Sequence, residues 1–144
     1  MKVSIVTAVY NREAAIGGAI DSVDAQSHAE IEHLVINGAS TDGTLTAIEA
    51  RRSPGMVLVS ELDHCIYDTL DKGLMRSTGE VVGLLHSDDW FADTHVIARI
   101  AQASADPAVD AVHGDLDDVS ATDPTSIVLR RRTGPASLAR LRRG

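Results

Sequence analysis

Short apolar runs alternate with amphipathic segments along this chain. Val3–Val9 is β-branched and apolar and gives way to polar Asn11-Arg12, the pattern of a buried strand. In residues 13–25, Ala15, Ile16, Ala19, Ile20 and Val23 recur at helical spacing and predict one apolar helix face. Residues 31–36 read as a second strand, and Asn37-Gly38-Ala39-Ser40 as a loop. Thr41 or Asp42 is placed to cap a helix that runs to Arg52, where Ser53-Pro54-Gly55 breaks it. Met56–Ser60 is a third strand. Residues 66–77 predict a helix with Ile66, Leu70 and Leu74 inward, and Thr78-Gly79 ends it. Residues 81–85 are a fourth strand, 92–104 a helix, and Ala111-Val112-His113 the start of a fifth strand. Beyond Leu116 no pattern emerges.

Strands separated by helices predict an α/β domain with a mostly parallel, Rossmann-like sheet and helices on both faces. In such sheets ligands bind outside the carboxyl ends of the strands. The loops to watch are therefore 8–12, 37–43, 61–68 and 86–90.

At 144 residues, 44% of them hydrophobic, the chain has the size and composition of a single globular domain. Aromatic residues make up 3%, which argues against a base-stacking nucleic-acid binder. The net charge of -8 is unevenly spread: residues 130–144 hold six arginines and no acid, leaving about −14 on residues 1–129. An acidic body suits a polyphosphate ligand only if a divalent cation mediates the contact. The arginine tail reads as a solvated end, or alternatively as a contact for an anionic membrane surface. One cysteine, Cys65, permits no internal disulfide. With no signal-peptide pattern and no apolar stretch long enough to span a membrane, the expectation is a cytoplasmic protein. Cys65 itself is expected to be small and partly buried rather than a nucleophile.

Ser87-Asp88-Asp89 is the strongest chemical signal. Two adjacent carboxylates straight after an apolar strand repel each other unless a cation lies between them, and their oxygen ligands suit Mg2+ or Mn2+. The competing reading is that Asp88 or Asp89 simply caps the next helix. The glycine-containing loop 37–44 lets backbone approach a ligand, but it has no Gly-Lys-Ser/Thr ending, and no Gly-x-Gly-x-x-Gly follows the first strand. A zinc site at His64-Cys65 lacks further ligands.

In this order and spacing, residues 4–12, Ser40-Thr41-Asp42-Gly43-Thr44, Ile66-Tyr67-Asp68 with Lys72-Gly73, Thr78-Gly79-Glu80, Ser87-Asp88-Asp89 and His113-Gly114-Asp115 resemble family 2 glycosyltransferases of the GT-A fold. The resemblance covers residues 3–118, read as a nucleotide-sugar-binding domain truncated on the acceptor side, with 119–144 as a basic extension. It implies a UDP-sugar donor and transfer with inversion to a glycan, lipid or small-molecule acceptor. It places Thr7, Val9, Asn11 and Arg12 along the nucleotide, Asn37 facing the base, and Asp63 and Asp68 in the loop lining the pocket. Ser87 and Asp88 stand at the ribose, and Asp89, with Asp88, at the metal. Asn37 stands where the family usually has aspartate, Cys65 where glycine is common, and Asp71 where asparagine is common. No general base is assigned; Asp115 and Asp117 are the nearest carboxylates after the metal motif. The alternatives are a nucleotide-sugar binder without catalysis, or a subunit completed by self-association or a partner chain.

Overall fold

The computed structural model describes residues 1–120, 122–123 and 125–134. It divides into two compact units, Met1–Asp106 and Pro107–Gly144.

The first unit is built on a parallel sheet of β1 (Val3–Val9), β2 (Ile31–Asn37), β3 (Met56–Ser60) and β4 (Val81–Leu84), in the order β3-β2-β1-β4. The expected bounds of β1 and β3 are met, and β2 and β4 differ by one residue at their ends. β1 is buried along its whole length, as a central strand covered on both faces must be.

Alternation along the strands feeds two cores. Val3, Ile5 and Val9 of β1 pack with Ile16, Ile20 and Val23 of α1 (Ile16–Asp24), Ile48 of α2 (Thr44–Glu49), and Ile97 of α4 (Val96–Ser104). Val6 points the other way, with Leu34 and Ile36, toward Leu70 of α3 (Ile66–Arg76). The strand order explains which helix lies where. The steps β1 to β2 to β3 move in one direction across the sheet with α1 and α2 on one face. The step from β3 to β4 reverses direction. A right-handed crossover in the reverse direction must pass over the opposite face, where α3 lies.

Four expectations change. The helices begin or end inside their predicted ranges, at Ile16, Glu49 and Val96 rather than 13, 52 and 92. Near α4 the reason is local: Asp93 accepts a hydrogen bond from the His95 N–H at 2.8 Å, which makes a turn of the residues before Val96. Helix α3 is rotated from its predicted face. It buries Thr69 and Gly73, while Ile66 and Leu74 stay 49% and 43% exposed. Gly73 sets this rotation, since a Cβ there would lie 2.2 Å from Val6 Cγ1. The predicted strand at 111–113 is absent. Instead β5 (Leu116–Val119) pairs antiparallel with β6 (Ile127–Arg131) in the second unit, where the sequence had shown no pattern. Charge pairs link these strands: Arg130 to Asp117 at 2.8 and 3.0 Å, and Arg131 to Asp118 at 3.0 Å. Arg140, Arg142 and Arg143 of the basic tail lie outside the described residues.

At the amino-terminal edge of the sheet, the Glu32 carboxylate is wrapped by donors. It accepts from Ser4 Oγ at 2.6 Å, the Thr78 N–H at 2.9 Å, Thr78 Oγ1 at 2.7 Å and Lys2 Nζ at 2.9 Å. Ser4 Oγ in turn accepts from the Gly79 N–H at 2.9 Å. Gly79 fits so tightly that a Cβ would lie 2.7 Å from Ser4 N. Thr78-Gly79 therefore closes α3 and also bolts the chain to β1 and β2.

His33 is buried among the strands. Its Nε2 lies 3.0 Å from Thr7 Oγ1, and its Nδ1 has no hydrogen-bond partner among the described residues. Burial pushes the imidazole down from 6.5 to about 4. The folded state therefore binds the proton less readily than the unfolded chain. The stabilisation is present above pH 6.5 and is lost as the pH falls toward 4. The expected loss is about 3 kcal/mol across that window. Urea midpoints measured between pH 7 and 4.5 check it: wild type should fall steeply and His33→Leu much less, and parallel curves would count against it.

Candidate nucleotide-sugar site

Because the strands are parallel, the loops after β1, β2, β3 and β4 meet at one edge of the sheet. The strand order reverses beside β1, so the crevice between β1 and β4 is the topological switch point where such sheets bind ligands. Ser87-Asp88-Asp89 leaves β4 there.

The first two loops are clasped together. Asn11 adopts φ 50° and Ala39 φ 54°, so both chains turn sharply as they leave their strands. Asparagine tolerates that region, whereas for alanine it costs about 1 kcal/mol, a cost that neighbouring contacts must offset. Those contacts are numerous. The Asn11 N–H donates to Ser40 Oγ at 2.9 Å, and Asn11 Oδ1 accepts from the Thr41 N–H at 2.9 Å. The Arg12 N–H donates to Thr44 Oγ1 at 2.8 Å. Glu13 and Asp42 exchange bonds across the gap: the Glu13 N–H donates to Asp42 at 3.4 Å, and Glu13 accepts from the Gly43 N–H at 3.2 Å. Asp42 also accepts from the Thr44 N–H at 3.0 Å, so it serves the start of α2 as predicted, although the capping position itself is Gly43.

Asn37 ties the second loop to the third. Its side chain is buried; Nδ2 donates to Ser60 Oγ at 2.8 Å, and Oδ1 accepts from Ser40 Oγ at 2.6 Å. Asp63 follows on the third loop. Its carboxylate accepts the Thr69 hydroxyl and packs on Gly38, where a Cβ would lie 2.2 Å from Asp63 Oδ2. Asp68 accepts from the His64 N–H at 3.1 Å and pairs with Lys72 at 3.1 Å; Lys72 and His64 hold its carboxyl below the usual range. Cys65 is exposed at the capping position of α3, contrary to the partly buried placement expected, because the helix-capping residue stands clear of the sheet.

The fourth loop is positioned by its strand, through Leu85 N–H donating to Val6 O at 3.0 Å. Ser87 is buried, while Asp88 and Asp89 are exposed on a turn closed by the Asp89 N–H on His86 O at 3.1 Å. Neither aspartate caps α4, which begins at Val96, and Asp93 is the residue that bonds the backbone before it.

The predicted residues thus fall into two kinds. Thr7 and Val9 are buried in β1, with the Thr7 hydroxyl on His33 and the Val9 carbonyl accepting from the Gly38 N–H at 2.9 Å. Asn11, Arg12 and Asn37 are joined by the bonds above, Asp63 meets them by packing on Gly38, and Asp68 is bonded within its own segment to His64 and Lys72. Glu13 and Thr69 also contribute to this rim; Glu13 gave no sequence signal because its partners, Asp42 and Gly43, are set by tertiary approach, whereas Thr69 bonds Asp63 within its own segment. Tyr10, 55% exposed at the end of β1, offers a ring surface beside the rim that the sequence reading left without a role.

Among the described residues no three His, Cys, Asp or Glu side chains converge into a metal-binding group. Asp88 and Asp89 fit a divalent ion that takes its remaining oxygens from phosphate and water, as magnesium-type ions do. In the second unit, Asp117 is held below the usual carboxylate range by Arg130, and Asp115 accepts from the Thr133 N–H at 2.9 Å. Among the described residues, no helix is long and apolar enough to cross a membrane.

The four-stranded parallel sheet with its acidic turn at the switch point has the GT-A class of α/β fold, the fold of its neighbours among solved structures. The chain belongs to glycosyl transferase family 2, whose model matches residues 4–140. It is 28% identical over 128 residues to an uncharacterized glycosyltransferase of Nostoc sp., covering 87% of this chain and 39% of that protein. Among solved structures it resembles a mannosyltransferase of Pyrobaculum calidifontis in complex with GDP-Man and Mn2+, with a TM-score of 0.70 and 27% identity, over 82% of this chain and 35% of that one. It also resembles TarS of S. aureus in complex with UDP-GlcNAc, with a TM-score of 0.65 and 25% identity, over 71% of this chain and 30% of that one. The chain spans about two fifths of the length of such relatives.

Proposed function

We propose that this chain binds the nucleotide-sugar donor, a UDP-sugar, of a metal-assisted, inverting glycosyltransferase. The observation that carries the reading is the placement of Asp88-Asp89 on an exposed turn at the switch point, beside a rim made of three interlocked loops. In this reading Asn37 would face the base, Asp63 and Asp68 would line the nucleotide pocket, Thr7, Val9, Asn11 and Arg12 would border the nucleotide, and Ser87 and Asp88 would meet the ribose. Asp89, with Asp88, would hold Mn2+ or Mg2+, which stabilises the charge developing on the departing nucleoside diphosphate. The interlocked loops present backbone and side chains already fixed, so little ordering is required when the donor binds. The neighbours solved with GDP-Man and with UDP-GlcNAc support a nucleotide-sugar donor. The acceptor, a glycan, lipid or small molecule, is unassigned.

The pairing of Asp117 with Arg130 favours a second reading, donor binding without transfer by this chain alone, because a carboxylate held ionised by arginine is a poor proton acceptor. Calorimetry of the full chain with UDP, with and without Mn2+, tests the common base: manganese-dependent binding is expected, and its absence would sink both readings. Turnover of a UDP-sugar panel then separates them.

A further inference from the structure

The loop that carries Asp63 is held to one helix by a ladder of contacts. Each residue from 61 to 64 is tied to α3. His64 N–H donates to Asp68 at 3.1 Å, and Asp63 accepts the Thr69 hydroxyl. The Leu62 carbonyl accepts from Lys72 Nζ at 2.7 Å. Glu61 lies 3.7 Å from Lys72 Nζ and 3.6 Å from Arg76. Three of the contacts meet at Lys72, which bonds Leu62 O and pairs with Asp68 and Glu61 while its side chain is 20% exposed. Lys72 lies a full turn beyond the residues expected to touch a donor, yet it reaches the loop at Leu62 and Glu61, while its pair with Asp68 is an i,i+4 contact within α3. Ion pairs of this kind near the surface contribute little to global stability. It does restrict a segment that has few apolar anchors of its own: Leu62 is 82% exposed and Tyr67 74%.

We propose that Lys72 is a positioning residue that holds loop 61–65, and with it Asp63, in the geometry that receives the nucleotide. The inference rests on the nucleotide-binding reading above. Without the ammonium, the Leu62 carbonyl returns to solvent and Glu61 and Asp68 lose the charge between them. The loop then samples conformations that carry Asp63 away from Gly38. Binding must select the competent fraction, so affinity falls by that fraction.

The test compares wild type, Lys72→Met, Lys72→Arg, Asp63→Ala and the Lys72→Met/Asp63→Ala pair. UDP affinity is measured with Mn2+, thermal midpoint without ligand, and amide exchange across residues 61–69. Lys72→Met is expected to weaken UDP roughly 10-fold and to speed exchange of the His64 and Thr69 amides, with a nearly unchanged melting temperature. Lys72→Arg, which keeps the charge and the donor, is expected to recover part of both effects. The pair should weaken UDP little more than Asp63→Ala alone. If Lys72→Met binds UDP as wild type does, or if exchange rises throughout the sheet as well, the inference is overturned. If wild type itself fails to bind UDP, the donor-binding reading fails, while the exchange data still report on the strap.

Discussion

Replacing Asp89 with alanine is expected to abolish manganese-dependent UDP binding, weakening it by on the order of 100-fold or more, with the fold intact. The argument is one of position. Asp89 stands exposed on a turn, several residues before α4 begins, so its removal opens no cavity, and the turn into that helix keeps Asp93 on the His95 N–H. Removing a group that only hydrogen-bonds to a metal's ligands already costs about 10–100-fold in affinity, and loss of a direct ligand should exceed that. Asp93→Ala is the matched control. Asp93 bonds the His95 N–H and Arg99, so it should lower the melting temperature and leave UDP binding alone. Calorimetry with and without Mn2+, paired with thermal melts of both variants, reads the difference. If Asp89→Ala loses stability and keeps manganese-dependent binding, the assignment of Asp89 to the metal is wrong.

The largest effect on stability is expected at Glu32, on the opposite edge of the sheet. Burial by itself would raise its carboxyl; hydrogen bonds from Ser4, Lys2 and Thr78 outweigh that and bring it to about 2. Glu32→Ala leaves the Ser4 hydroxyl and the Thr78 N–H without their acceptor, at a cost of about 3 kcal/mol. Glu32→Gln keeps an acceptor and loses the charge, so about half that loss is expected. The sign with pH follows from the lowered value. The carboxylate contributes its stabilisation above 4.5 and loses it as the pH falls toward 2. Urea midpoints at pH 7 and at pH 3 check both statements: the gap between wild type and Glu32→Gln should narrow in acid, and a constant gap would refute the account. This window lies below that of His33, so acid unfolding should show two slopes.

The central strands were legible because strands covered on both faces read as nearly continuous apolar runs, as in Val3–Val9 with only Ser4 and Thr7 between the apolar residues, while the half-exposed β3 and β4 showed as short apolar segments between polar turns. The loops of the site followed from the rule that parallel sheets bind at their carboxyl ends. Spacing along one segment says nothing about how closely two segments approach. The face of α3 was misread because Gly73 meets Val6, a constraint between residues far apart in sequence. The β5–β6 hairpin escaped notice because its pairing is written in opposed charges, Asp117 with Arg130 and Asp118 with Arg131, rather than in apolar alternation. Within the site, Asp88-Asp89 was visible as adjacent carboxylates, whereas the clasp between Glu13 and Asp42 required two loops to be seen side by side.

The two halves of the site differ in how firmly they are rooted. The clasped rim grows from β1 and β2, each paired on both sides, whereas the aspartate turn hangs from β4, which has four residues and, among the described residues, pairs only with β1. A short strand secured along one edge opens at a lower free energy than the sheet behind it. Separation of β4 would withdraw Asp88 and Asp89 while Asn11, Asn37 and Asp63 kept their places. In the proposed site the cation ligands and the base contacts would thus rest on different elements, and in mild denaturant amide exchange should rise in β4 before it rises in β1 and β2.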